Sequence, residues 1–131
     1  MDARFDLAGD GRAPGQARGN VRQILALWQL PALVDSVTLA VSELVTNAVR
    51  HGRPPLFLLL RREKDHVRLA VHDASATEPA AHGATADQDA ENGRGLDIVS
   101  ALAADMGCEQ IPGDGKMMYA SFNTPGTSDP A

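Results

Sequence analysis

The sequence predicts an α+β domain in two layers, with a mixed, largely antiparallel sheet carrying helices on one face. Three observations point there. Two segments place apolar residues at spacings of three and four, as helices with one buried side do. Several shorter segments alternate apolar and polar residues with a period of two. Finally, the strand-like segments come in adjacent pairs between helices, rather than in strict strand–helix alternation.

In chain order, "ARFDLAG" (Ala3 to Gly9) reads as an edge strand and "GDGRAPG" as a loop rich in turn residues. Ala17 to Leu30 is helical, with Val21, Leu25 and Trp28 on one side, and Pro31 interrupts it. Asp35 or Ser36 is a candidate cap for a second helix running to Arg50, with Gly52 at its C-terminal cap and Pro54-Pro55 beyond. "LFLLLRR" from Leu56 and "HVRLAVHD" from His66 form a strand pair around the charged turn "EKD". Ala74 to Asn92 contains no large apolar side chain and reads as a lid, a binding loop or a disordered segment. "GRGLDIVSALAADMG" opens a helix at a glycine turn, and "CEQI" and "KMMYASF" are two last strands around "PGDG". Residues 1–123 therefore form one domain, with 124–131 a disordered tail.

A length of 131 residues suits a single core. The net charge of −5, without a basic cluster, argues against a general nucleic-acid binder. Cys108 stands alone, so no internal disulfide forms and no cysteine metal cluster exists. The charged N-terminus lacks the apolar core of a signal peptide, and "LFLLL" is too short to cross a bilayer, so a cytoplasmic protein without a membrane segment is expected.

Chemistry concentrates in three places. On the second helix, Glu43, Asn47 and Arg50 share a narrow stripe, with His51 beside it, while Val37, Val41, Leu44, Val45 and Ala48 cover the other side. Asp73 ends a buried strand. Gly93-Arg94-Gly95-Leu96 precedes a helix N-terminus. Singly, each has a plain structural reading: a solvated face, a turn-capping carboxylate, a helix entry. Combined, they predict a nucleotide site. A helix N-terminus attracts phosphate, an amide oxygen completes the shell of a phosphate-held Mg²⁺, and a neighbouring carboxylate serves as base. A strand-end carboxylate can accept a hydrogen bond from an exocyclic amine.

These segments resemble the GHKL, or Bergerat-fold, ATP-binding domains, and among them the anti-sigma-factor serine kinases. "VSELVTNAVRHG" resembles that family's asparagine box, "VHDASATEP" its adenine box and "GRGLDIV" its second glycine box, with similarity over about residues 3 to 122. The resemblance implies ATP and Mg²⁺ as ligands, Asn47 as the metal ligand and Glu43 as the catalytic base. It further implies Asp73 as the adenine-reading carboxylate, and Gly93, Arg94, Gly95 and Leu96 at the phosphates. It implies a STAS-type anti-anti-sigma partner, a sigma factor, or both, and leaves a homodimer open. One departure stands out: Met117 falls where the family carries a threonine that joins the adenine network, and a thioether cannot donate that hydrogen bond. The implied activity is serine phosphorylation of the partner. The rival is a catalytically weak or inactive module that holds ATP, or nothing, and works purely by partner switching.

Overall fold

Alternation along the strands decides which way the sheet faces. Leu56, Leu58 and Leu60 of one strand are buried, and so are Val67, Leu69 and Val71 of the next. Leu58 lies opposite Val71 and Leu60 opposite Leu69. A third strand continues both rows, with Met118 opposite Val71, Ala120 opposite Leu69 and Phe122 opposite Val67. Residues two apart share a face, so these side chains form one apolar floor.

The computed structural model describes residues 1–75 and 95–125. The elements are β1 (Asp2–Leu7), α1 (Ala13–Leu27), α2 (Val34–His51), β2 (Leu56–Arg62), β3 (His66–Asp73), α3 (95–102), β4 (Asp105–Gln110) and β5 (Lys116–Asn123). The strands lie in the order β1-β2-β3-β5-β4. All four pairings are antiparallel, so the expected mixed sheet is wholly antiparallel among the described residues. Even β1 and β2, separated in sequence by two helices, run in opposite directions. Ala13, Ala17, Val21 and Leu25 of α1 and Val37, Val41, Leu44, Val45 and Ala48 of α2 complete the core above the floor. The predicted α+β class, with helices on one face of the sheet, therefore holds. By length and hydropathy the stretch Pro31–His51 would also pass for a membrane-crossing helix. Here its apolar side is spent on the protein's own core.

Several local expectations change. Helix α1 starts at Ala13 and not at Ala17, because Pro14 falls in the first turn, where a missing N–H costs nothing. It ends in a Schellman pair, Leu30 N–H to the Leu25 carbonyl at 2.9 Å and Gln29 N–H to Ala26 at 3.1 Å. Gln29 takes the left-handed φ of 59° that this motif needs. Neither Asp35 nor Ser36 caps α2. A 3₁₀ turn, Pro31–Leu33, runs straight into the helix, and its carbonyls take the first N–H groups that a cap would otherwise serve. Asp35 instead lies in the first turn, where its charge suits the helix dipole. Strand β4 begins at Asp105, ahead of the expected Cys108. Thr124 belongs to the fold and not to a tail: it is buried, and its N–H donates to the Asp65 carbonyl at 3.0 Å. Most of the expected loop, residues 76–92, lies outside the described residues, as do 126–131.

Candidate functional site

Helix α2 turns its polar edge toward the start of α3. Glu43 and Asn47 are half-buried on that edge, and Arg50 and His51 are exposed at its end. Gly95 meets Glu43 directly, because a Cβ on Gly95 would stand 2.8 Å from Glu43 Oε1. A side chain on Gly95 would have to push the Glu43 carboxylate, the free end of a flexible side chain, out of this position. Among the described residues, neither the Glu43 nor the Asn47 side chain makes a hydrogen bond or ion pair. Both side chains therefore keep hydrogen-bonding capacity on one helix edge that water or a ligand can use.

The same helix ends against Asp73. Gly52 follows the last turn of α2 in extended backbone, φ −100° and ψ −163°. It needs no unusual conformation; it needs room. A Cβ there would lie 2.5 Å from Asp73 Cγ and 2.7 Å from the Ala48 carbonyl oxygen. Gly115 bounds Asp73 on another side, with φ +86° and a would-be Cβ 2.7 Å from Ala74 Cα. Between these glycines the Asp73 side chain is 2% exposed. Its Oδ1 accepts the Ser75 N–H at 2.7 Å. The Lys116 ammonium lies 3.2 Å from its Oδ2 and 3.5 Å from its Oδ1.

The expected residues thus gather along α2. Glu43 faces Gly95, Asn47 lies one turn farther along, and the helix end abuts Asp73, roughly 14 Å from Glu43 at 1.5 Å per residue. Gly93 and Arg94 lie outside the described residues. The Leu96 side chain packs against the core, which leaves only its backbone for a ligand. Among the described residues no group of three or more His, Cys, Asp or Glu side chains is placed to hold a metal ion. A lone amide such as Asn47 fits only an ion held chiefly by other ligands.

Met117 requires a correction. It lies opposite His72, on the face of the sheet away from the helices, and lines a concavity of about 390 Å³ with Leu59, Arg68 and Tyr119. The residue beside Asp73 is Lys116, directly across the strand pair. Reading the sequence motif alone missed it. The parity of β5 would have found it, because Met118, Ala120 and Phe122 are the core-facing set and Lys116 continues that row. His72, on the same outer face as Met117, ties the segments at Pro55 and Asp114 together. Its Nδ1 lies 3.2 Å from the Pro55 carbonyl and its Nε2 2.6 Å from that of Asp114, and its ring stacks on Phe57 at 4.3 Å.

The chain belongs to the Histidine kinase-like ATPase domain family, which matches residues 11–121. Among solved structures it is similar to the RsbU and RsbW domains of Rv1364c from Mycobacterium tuberculosis, with a TM-score of 0.71 and 18% identity. That likeness covers 95% of this chain and 32% of the other, so this chain spans about a third of that protein's resolved length. At such identity the likeness is one of fold. No match is found among curated proteins.

Proposed function

We propose that this domain binds Mg²⁺-ATP along the edge of α2 and works as a serine/threonine kinase of the anti-sigma-factor type. Its substrate would be a seryl side chain of a STAS-type anti-anti-sigma protein, and the same domain would be able to sequester a sigma factor. This reading assigns it to the cytoplasm and leaves a homodimer open. The observation that carries it is the half-buried Glu43 carboxylate, without a partner among the described residues and pressed against the backbone of Gly95 at the start of α3.

The residues present fit the ligands. Asp73 would accept the exocyclic amine of adenine at one end of the edge. Gly93, Arg94 and Gly95, with the backbone of Leu96, would meet the phosphates at the other, helped by the positive end of α3. Asn47 would offer its amide oxygen to Mg²⁺, whose part is to neutralise phosphate charge. Glu43 would accept the proton of the attacking serine hydroxyl. Family membership and the likeness to an RsbW-containing structure support the reading.

The test is Glu43→Gln, which keeps size and removes the proton-accepting charge. Calorimetry should find Mg²⁺-ATP bound within a few-fold of wild type, while radiolabel transfer to STAS-like proteins falls by roughly 10²–10⁴. Label on a histidine, or on this protein itself, defeats the serine-kinase reading. Wild type that binds Mg²⁺-ATP yet labels no partner is instead a switching module.

A further inference from the structure

Beside Asp73 sits a second buried charge with no part in the roles given so far. Lys116 is 4% exposed. Lysine is rarely buried to this degree, and burying an ammonium is costly unless its donors are used. It has three N–H donors. Among the described residues they meet one partner, the Asp73 carboxylate, at 3.2 and 3.5 Å. Asp73 in turn takes the Ser75 N–H on Oδ1, so Oδ2 retains lone-pair capacity next to the ammonium. A buried acceptor and a buried donor therefore stand side by side, each with capacity to spare.

A carboxylate alone reads only an exocyclic amine. A donor fixed next to it also asks for a ring-nitrogen acceptor adjacent to that amine, which adenine presents at N1 and cytosine at N3, so the pair tests for that edge and not for the purine ring as such. We propose that Lys116 is a specificity-determining residue of this site. Its ammonium donates to the ring nitrogen N1 of a 6-aminopurine while Asp73 accepts from the amine at C6. The pair thus reads the whole N–C–N edge and does directly what a threonine hydroxyl on this strand would otherwise contribute. A hydrogen bond from an ammonium is roughly twice as strong as a neutral one. This inference rests on the nucleotide reading above and deepens it.

The experiment is a cycle between one protein group and one ligand atom. Binding of Mg²⁺-ATP, of its 1-deaza analogue (CH in place of N1) and of its 7-deaza analogue is measured by calorimetry on wild type and on Lys116→Met. Wild type should bind the 1-deaza compound about 10- to 100-fold more weakly than ATP, the worth of one charge-assisted bond, and should not distinguish the 7-deaza compound. Lys116→Met should lose about the same factor for ATP and be indifferent to N1. A lysine that merely braced Asp73 would weaken all three ligands alike in the variant and leave the preference for N1 intact, which overturns the proposal. If Lys116→Met does not fold, the ratio is read on Lys116→Gln, whose neutral amide should cut the discrimination by at least about threefold. Wild type that binds ATP and the 1-deaza analogue equally overturns the role of Lys116 alone. Wild type that binds none of the three overturns the nucleotide reading, and this inference with it.

Discussion

The two faces of the sheet solve the same problem by different means. Toward the helices, β2, β3 and β5 present aliphatic rows that α1 and α2 cover completely, and Leu58, Leu60, Leu69 and Val67 are 0% exposed. At the end of that face, where α2 stops at Gly52, aliphatic packing gives way to the Asp73–Lys116 pair. The opposite face has no helix among the described residues and shields itself with flat groups. The Arg4 guanidinium lies 3.9 Å from the Phe57 ring centroid, Phe57 stacks on His72, and the Arg68 guanidinium lies 4.0 Å from that of Tyr119. Guanidinium–ring contacts tolerate water, whereas the aliphatic rows and the buried ion pair do not. The covered face should therefore be brittle and the open face forgiving.

Asp73→Asn should be the harshest test. It leaves the Lys116 charge buried without a counter-charge, at about 3–5 kcal/mol of stability in denaturant titration. It should also weaken ATP more than inorganic triphosphate, because the amide can turn a donor toward the amine. Equal losses for both ligands would remove Asp73 from the base end. Leu58→Ala comes next, at about 3 kcal/mol, because a fully buried leucine leaves a cavity in the core. A loss below about 1 kcal/mol would mean that the covered face can collapse as the open one can.

Phe57→Ala, on the open face, should cost about 1.5 kcal/mol, since the ring is half-buried and loses one stack and one cation–π contact. A cost matching that of Leu58→Ala would erase the distinction between the faces. Met117→Thr should be mildest, at about 1 kcal/mol in stability. Its effect on ATP affinity should stay below about twofold, because residue 117 points away from Asp73 and one neutral hydrogen bond there would be worth more. Tighter ATP binding by this variant would put residue 117 back in the base site.

Much of this was legible in the sequence, and the parts that were not have physical reasons. Period-two and period-3.6 patterns carry burial, so the strands, the helices and the core side of α2 could be read from residues such as Leu58, Val71 and Val45. Glu43 and Asn47 were readable because their spacing on a helix places them on one edge. Lys116 was not, because motif matching aligned the chain on Met117 and passed over the pleat that points neighbouring residues to opposite faces. Polar residues near the start of α2 suggest side-chain capping, whereas the Pro31 carbonyl of the preceding turn takes the Val34 N–H. The glycines were visible but their purposes were not. Gly52 is explained by Asp73, distant in sequence, and by the Ala48 carbonyl, which occupy the space a side chain would need.

Trp28 is the only tryptophan in the chain. It closes α1 at 7% exposure, and its carbonyl accepts the Arg62 guanidinium at 2.8 Å. Arg62 pairs with Val67, so Asp73 lies six residues farther along β3, roughly 20 Å away at about 3.3 Å per residue. The intrinsic fluorophore thus sits at the end of the sheet opposite the base site, sealed in the core. Its emission should report whether the fold is intact and stay silent about contacts at the base end. A variant that loses ATP with unchanged tryptophan emission has lost a ligand contact; one in which the emission shifts to the red has lost its core.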